Sequence, residues 1–291
     1  MAQSWVLPHM RTGVTLDITS EGSYNGGNLK NTGGTDMKAT QIVFSPTGGT
    51  QQVIDAVTSA WETHVNKIDL TNPKNGHPAL DLSQEDIAAI AVPSYGGRVP
   101  ALAAERLKRM DGNHARCVVI CVYGNRAYED TLLELRDIAE QRNFNVVAAI
   151  SAIAEHSILH QYATGRPNQE DKDELRSFAG KVLEKIGSGN ADMPGFQIPG
   201  NRPYKKAGGV GLVPKATGKC VGCGLCAEKC PAQAISKEKI KGADSKKCIS
   251  CMRCVVQCPH SARKVNGAMV SAAALALKKA CSERKDNELY I

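Results

Sequence analysis

The sequence predicts an α/β domain with a doubly wound, five-stranded parallel sheet, followed by a small α+β domain. Three observations support this division. Short apolar runs alternate with helical periodicity from residue 40 to about residue 186, eight of the eleven cysteines lie between residues 220 and 258, and the charge changes sign near residue 200. A chain of 291 residues is long enough for two domains.

Five apolar runs are typical of buried strands. They are residues 41–44, 64–70, 87–92, 117–122 and 145–152. Apolar residues with helical spacing begin at Ile54, Ala103, Leu132 and Leu175. This alternation predicts a parallel sheet covered by helices on both faces. The connection from the second strand to the third, residues 71–86, lacks helical spacing, so we expect a loop there.

Composition excludes several protein classes. Hydrophobic residues make up 42% of the chain and charged residues 22%, as in ordinary globular proteins. No apolar run reaches the roughly 18 residues that a membrane helix needs. The N-terminus lacks the basic and apolar regions of a secretory signal, which predicts a cytoplasmic protein. Residues 1–36, rich in Gly, Asn, Thr and Ser, predict a flexible N-terminal extension.

The remaining boundaries follow from changes in composition and charge. The predicted segments are the α/β domain at 37–187, a linker rich in Gly, Pro and Asn at 188–211, the cysteine-rich domain at 212–266 and a helical tail at 267–291. From residue 200 onward 18 Lys and Arg stand against 6 Asp and Glu, a net charge of +12. Residues 1–199 contain 18 Lys and Arg and 23 Asp and Glu, a net charge of −5. The two parts therefore carry opposite charges.

Three loops after strands of the predicted sheet carry the candidate ligand-binding residues, because ligands of such sheets bind beyond the carboxyl ends of the strands. The first, SPTGGT (45–50), offers backbone N–H groups and hydroxyls at the start of a helix, which suits a phosphate. It lacks the Gly-Lys-Ser/Thr ending of an ATP-binding loop. The loops VPSYGGRVP (92–100) and VYGNRAYED (122–130) each place an aromatic residue beside glycine, so the backbone can approach a flat ring.

Together the three loops resemble those of flavodoxins, over about residues 38–186. The resemblance implies FMN, with its phosphate on the first loop and its ring between the other two. The implied FMN-binding residues are Ser45, Thr47, Gly48, Gly49, Thr50, Pro93, Tyr95, Gly96, Gly97, Tyr123, Gly124 and Asn125. Which tyrosine stacks on the ring stays open. FMN is favoured over NAD because no G-x-G-x-x-G motif follows the first strand.

The clustered cysteines form two copies of C-x2-C-x2-C-x3-C-P, CVGCGLCAEKCP (220–231) and CISCMRCVVQCP (248–259). Thiolate is a soft ligand that suits iron and sulfide, and the spacing resembles that of bacterial two-cluster ferredoxins over about residues 212–265. The resemblance implies two [4Fe-4S] clusters, the first held by Cys220, Cys223, Cys226 and Cys258 and the second by Cys248, Cys251, Cys254 and Cys230. Structural zinc is the alternative, but zinc sites usually combine two cysteine pairs across a longer spacer.

Other candidate residues receive structural interpretations. Cys117 and Cys121 lie four residues apart in an apolar strand, so we expect both on one buried face. Cys281 lies near the end of an apolar segment that predicts a C-terminal helix packed on one of the domains. His156 follows the fifth strand, where it either approaches the flavin or forms hydrogen bonds within its loop.

A flavodoxin-like domain followed by a two-cluster ferredoxin domain resembles the emergency-ferredoxin type of fusion, found chiefly in anaerobic bacteria and archaea. The resemblance implies electron transfer between FMN, the two clusters and a redox protein partner. The alternative is a flavin-dependent reductase of a small substrate, for which only His156 and Tyr128 are candidate general acids. The basic second part favours a partner with an acidic docking face. Lysines without interleaved aromatic residues disfavour nucleic-acid binding, and the oligomeric state and any catalytic residues stay open.

Overall fold

The computed structural model describes residues 37–74, 79–189, 196–208 and 211–291. The predicted extension at 1–36 lies outside the described residues. The first part of the chain forms a sheet with strands β1 (Ala39–Val43), β2 (Val65–Asp69), β3 (Ile87–Pro93), β4 (Arg116–Tyr123) and β5 (Asn145–Ile153). All five are parallel, in the order β2-β1-β3-β4-β5. This is the strand order of flavodoxin-like folds, so the predicted fold class is confirmed.

Helices cover both faces of the sheet. They are α1 (Gly49–Thr58), α2 (Ala101–Leu107), α3 (Thr131–Glu140) and α4 (Gln169–Gly187). Helices α2 and α3 contribute to one apolar core with one face of the strands, and α1 and α4 contribute to a second core on the other face. Strands β3 and β4 are buried almost throughout, because helices exclude water from both sides.

The connection between β2 and β3 has no helix in its described residues, 70–74 and 79–86. This agrees with the loop expected there. Cys117 and Cys121 are fully buried in the same core, as expected from their spacing. Burial raises the pKa of both thiols well above the ordinary value. Among the described residues, no helix is long and apolar enough to cross a bilayer.

The cysteine-rich part is small and has little regular structure. It contains a two-stranded antiparallel ribbon of β6 (Lys215–Ala216) and β7 (Arg263–Lys264), and the short helices α5 (Leu225–Glu228) and α6 (Arg253–Val256). Helix α5 begins after Gly224 and α6 after Met252, and both of these residues are left-handed. The left-handed residue turns each cysteine loop sharply into its helix.

Residues 196–208 of the predicted linker lie along the flavodoxin-like part. Ile198 is buried in the α2/α3 core, and Phe196 and Tyr204 pack against it. The linker cations Arg202 and Lys205 form ion pairs with carboxylates of the α/β part, Lys205 at 2.8 Å from Glu129. The described part of the linker is therefore packed on the first domain.

The C-terminal tail differs from the predicted helical tail. Helix α7 spans Gly267–Leu277, and its side chains are all at least partly exposed, with Leu275 at 75%. Beyond it, β8 (Glu288–Tyr290) adds a sixth strand to the sheet, antiparallel to β5. Three residues are too few for a visible strand alternation, so the sequence did not predict β8. Its pairing covers the backbone groups of the β5 edge that would otherwise be unpaired.

Candidate functional site

The eight clustered cysteines surround two separate cavities. One cavity is lined by Cys220, Cys223, Cys226 and Cys258, together with Arg263, His260 and small or apolar residues. The other is lined by Cys230, Cys248, Cys251 and Cys254. Each cavity has three cysteines from one sequence motif and one from the other motif, Cys258 in the first cavity and Cys230 in the second. The two sets therefore correspond to the ligand sets that the ferredoxin resemblance implies. We call them the first and second cysteine sets.

Backbone groups of the cysteine loops point at sulfur atoms. The N–H of Ala234 donates to Cys230 Sγ at 3.3 Å, and the N–H of Ala262 donates to Cys258 Sγ at the same distance. Such donors stabilise the negative charge of thiolates. Burial raises the pKa of Cys251 to about 12 and that of Cys254 to about 11. Metal binding at the second set must therefore displace protons, as ligation by thiolate requires.

Each set of sulfurs surrounds a cavity. Four cysteines surround each cavity, and within the described residues no three His, Cys, Asp or Glu side chains converge on a point where one metal ion could bind. A zinc ion requires four ligands at about 2.0–2.3 Å from one centre. A cubane instead requires four thiolates around a larger volume.

The first of the three predicted loops lies between the carboxyl end of β1 and the start of α1. Ser45 Oγ accepts a hydrogen bond from the N–H of Gln51 at 3.0 Å, and Gly48 has a left-handed φ of 99°. None of the described residues accepts a hydrogen bond from the N–H groups of Thr47, Gly48, Gly49 and Thr50. These free donors at a helix N-terminus form a cradle that fits a phosphate group.

The second loop follows β3, whose last residue is Pro93. Tyr95 and Arg98 are joined by two backbone hydrogen bonds around Gly96 and Gly97, both with positive φ. A side chain at Gly97 would be strained there, and its Cβ would lie 1.7 Å from Glu129 Oε2. The Tyr95 residue is partly exposed, but burial raises the pKa of its hydroxyl well above the ordinary value.

The third loop follows β4 and is occupied by other parts of the chain. Tyr123 is buried and packs edge-on against Tyr128, with 5.1 Å between ring centroids. Gly124 lies so close to His156 that an added Cβ would be 2.7 Å from the His156 Cβ. The Asn125 amide donates to the Cys281 carbonyl at 3.0 Å, in the C-terminal tail. Because β1, β3 and β4 are adjacent, the three loops do lie side by side, but the Tyr123 and Asn125 side chains are engaged within the protein.

Two candidate general acids also have structural partners. His156 Nδ1 accepts hydrogen bonds from the N–H groups of Ile158 and Leu159 at 3.2 and 3.1 Å. Burial lowers the pKa of His156, so the ring is neutral near pH 7. The Tyr128 hydroxyl donates to Glu288 at 3.0 Å, and burial raises its pKa well above the ordinary value. His156 therefore forms hydrogen bonds within its own loop, one of the two roles expected for it, and the Tyr128 hydroxyl is bonded to β8.

The second cysteine set lies against the first loop. Arg253, between Cys251 and Cys254 in the sequence, places Nη1 at 3.4 Å from the carbonyl oxygens of both Ser45 and Pro46. Ile249 packs against the α2/α3 core. The second set is therefore next to the phosphate cradle.

Further contacts join the same surfaces. Arg106 Nη2 donates to the Pro231 carbonyl at 2.8 Å, and Lys74 lies 3.3 Å from Glu228. Sequence reasoning did not predict these contacts or the position of Arg253. The only signal for Arg253 was a cation between two cluster ligands, and that pattern does not indicate which surface the guanidinium contacts.

Comparisons with known proteins agree with this architecture. Residues 219–263 match the profile of the 4Fe-4S dicluster domain. The chain joins a flavodoxin-like domain to a 4Fe-4S dicluster domain. It is therefore an iron–sulfur protein of the electron-transfer class. No curated protein matches the chain in sequence.

Several solved structures are similar to the first part of the chain. A flavodoxin from Streptococcus pneumoniae is 17% identical with a TM-score of 0.37, and the match covers 50% of this chain and 98% of that one. A WrbA-like flavodoxin from Agrobacterium tumefaciens is 15% identical with a TM-score of 0.37, covering 53% and 99%. The rubredoxin oxygen:oxidoreductase from Desulfovibrio gigas is 10% identical with a TM-score of 0.38, covering 52% of this chain but only 36% of that protein. The fold assignment itself depends on the strand order given above.

Proposed function

We propose that this protein transfers electrons between FMN, bound at the flavodoxin-like part, two [4Fe-4S] clusters and a redox protein partner. The observation that supports it best is the contact of Arg253, which lies between two cysteines of the second set, with the carbonyl oxygens of Ser45 and Pro46 at the phosphate cradle. In this arrangement the second cluster is the neighbour of the flavin. When bound, FMN exchanges one or two electrons and each cubane exchanges one, so the protein can connect one-electron and two-electron carriers.

Different residues hold the two kinds of cofactor. The free N–H groups of residues 47–50 bind the FMN phosphate, and the Gly96–Gly97 turn lets the backbone and Tyr95 approach the ring. Tyr95 is the tyrosine that stacks, because Tyr123 is already packed against Tyr128. Cysteine thiolates hold the clusters, and loop N–H groups stabilise their charge.

The first cysteine set faces the partner. Cys223 is exposed, and the neighbouring Val221 is 65% exposed, the environment of a contact surface. Exposed lysines lie on the loop between the two motifs, at Lys237, Lys239, Lys241, Lys246 and Lys247. A basic face of this kind attracts an acidic partner and accelerates the encounter.

The decisive test is anaerobic purification or reconstitution, followed by iron, sulfide and flavin analysis and by stepwise reduction. We expect about eight iron and eight sulfide per chain, from two cubanes, and one FMN. Absorbance should show electron equilibration between flavin and clusters, and electron paramagnetic resonance should show two interacting reduced clusters. Full cluster content with no flavin uptake from excess FMN would contradict the proposal.

Arg253 provides a test of the flavin position. We expect Arg253→Met to weaken FMN binding at least tenfold. Arg253 places a positive charge beside the cradle proposed for the phosphate, and a charge-assisted interaction with a phosphate contributes roughly 1.5–3 kcal/mol. The measurement is FMN fluorescence quenching at equilibrium. Riboflavin, which lacks the phosphate, should bind both proteins equally, and Lys246→Met, at an exposed position, should leave FMN affinity unchanged. An equal loss of FMN and riboflavin affinity would show that Arg253 only supports the fold.

The basic partner surface predicts a salt-dependent reaction. We expect the rate of electron delivery to an acidic acceptor protein to fall as ionic strength rises, because salt screens exposed charges beyond about 10 Å at 0.1 M. Stopped-flow traces from 20 to 500 mM salt would measure it. Lys246→Glu/Lys247→Glu should lower the rate at low salt only. Internal equilibration between flavin and clusters should be insensitive to salt, and a salt-independent delivery rate would remove the acidic-partner proposal.

A further inference from the structure

Arg263, in β7, is a charged side chain buried inside the cysteine-rich part. Its residue exposure is 2%. Its guanidinium donates to three backbone carbonyls, those of Pro214 at 2.9 Å, Ile240 at 2.8 Å and Gly242 at 3.2 Å. These contacts explain how the side chain is held. They do not neutralise its charge.

No carboxylate in the described residues pairs with Arg263, and its Nε makes no hydrogen bond there. A buried unpaired charge is costly, and proteins almost always pair such a charge or place it near a metal site. The other arginine buried to a similar degree, Arg166, follows the rule and pairs with Asp171. Arg263 therefore lacks the counter-charge that its burial requires.

The missing negative charge lies on the first cysteine set. Arg263 lines the cavity of this set, and its Nη1 donates to Cys226 Sγ at 3.7 Å. The buried guanidinium is therefore beside the thiolates that would hold the first cluster.

We propose that Arg263 is the internal counter-charge of the first iron–sulfur centre and raises its reduction potential. This inference depends on the proposed binding of two clusters. Each cubane with its four thiolates carries a net negative charge, and reduction adds one electron to it. A fixed positive charge in a dry environment stabilises the reduced form more than the oxidised form. Because Arg263 is buried, salt does not screen this effect as it would at the surface.

The neighbouring residue provides a matched control. Lys264 follows Arg263 in the same strand, carries the same charge and is exposed. Arg263→Gln and Lys264→Gln therefore remove equal charge from adjacent positions that differ in burial. Arg263→Lys keeps the charge but loses the multiple donors of the guanidinium.

The experiment uses the full chain with its clusters. Iron and sulfide content is measured first, and midpoint potentials are then determined by anaerobic titration with dithionite, followed by electron paramagnetic resonance. We expect Arg263→Gln to shift the reduction equilibrium of the first cluster at least tenfold toward the oxidised form, about 59 mV for a one-electron couple. Lys264→Gln should shift it less than threefold, and Arg263→Lys should lie between wild type and Arg263→Gln.

The measured potentials and cluster contents support or overturn the proposed role of Arg263. Unchanged potentials in Arg263→Gln with a lower melting temperature would overturn the proposal and leave Arg263 as a structural link between carbonyls. An equal shift in Lys264→Gln would also overturn it. If Arg263→Gln loses its clusters, recovery of clusters and potentials in Arg263→Lys supports the proposal, and failure of Arg263→Lys contradicts it. Wild-type protein without iron and sulfide would contradict the proposed function itself, and this is seen before any variant is compared.

Discussion

Replacing Cys254 and Cys258 together with alanine should remove both clusters, although these cysteines belong to the same sequence motif. The reason is that they line different cavities, Cys254 the second and Cys258 the first. Loss of one of four thiolates leaves a cluster incompletely ligated. Iron content should therefore fall from about eight per chain to near zero in this double variant.

The matched double variant is Cys230→Ala/Cys254→Ala. Both residues line the second cavity, so this variant should keep about four iron atoms per chain, from the first cluster. Cys281→Ala should keep all of the iron, because Cys281 lines neither cavity. If the double variant at Cys254 and Cys258 kept half of the iron and the one at Cys230 and Cys254 lost all of it, each motif would hold its own cluster and the assignment would be wrong. Loss of the second cluster alone should also slow electron exchange with FMN, since the proposed arrangement makes that cluster the neighbour of the flavin.

The second large effect is expected at Asp171, in the first turn of α4. Its carboxylate is 1% exposed and accepts hydrogen bonds from Arg166 Nε at 2.9 Å and from the Asn168 N–H at 2.8 Å. The Arg166 side chain is 6% exposed and also donates to the Lys285 carbonyl in the tail. Asp171→Asn would leave Arg166 buried without a carboxylate, which costs about 3–5 kcal/mol of the free energy of unfolding.

Urea unfolding followed by circular dichroism measures this loss. The control is Asp173→Asn, two residues along the same helix, where an exposed carboxylate pairs with Arg176. Exposed pairs contribute at most about 1 kcal/mol, so this variant should remain close to wild type. Similar losses in the two variants would mean that the buried pair contributes no more than a surface pair.

The buried pair of Arg166 and Asp171 makes the free energy of unfolding depend on pH. Burial alone would raise the pKa of Asp171, but hydrogen bonds from Arg166 and Asn168 lower it below the ordinary value of 3.8. The carboxylate therefore contributes stability at pH values above the unfolded pKa, and this contribution is lost as the pH falls through the lower folded pKa. The free energy of unfolding of the wild type should decrease on acidification below about pH 4 more steeply than that of Asp171→Asn.

Much of the fold could be predicted because its signals are local. Strands β3 and β4 are continuous apolar runs, and α1, α3 and α4 have clear helical spacing, so the layers follow from hydrophobic periodicity. Strand β8 could not be predicted in this way. Its three residues are too few to show an alternation of polar and apolar side chains. The strand forms because its backbone pairs with the edge of β5. Similarly, nothing in the local sequence of the described linker residues indicates that they pack on α3.

The same difference between local sequence signals and long-range packing applies to the candidate site. The SPTGGT loop and each of the two cysteine motifs are short continuous segments, so the sequence could indicate a phosphate cradle, and the resemblance to ferredoxins implied the two cysteine sets. The choice between Tyr95 and Tyr123 required the structure, because it depends on packing with Tyr128, and so did the engagement of Asn125 by the tail.

The sequence by itself determined which chemical groups are present: a glycine-rich turn at the start of a helix and eight cysteines on two regular spacings. The tertiary structure alone decided how they are placed. It put the second cysteine set beside the phosphate cradle through Arg253 and buried Arg263 beside the first set. The physical reason is that ligand spacing is a property of a few consecutive residues. The distance between two sites and the burial of a charge instead depend on how segments far apart in the chain pack together.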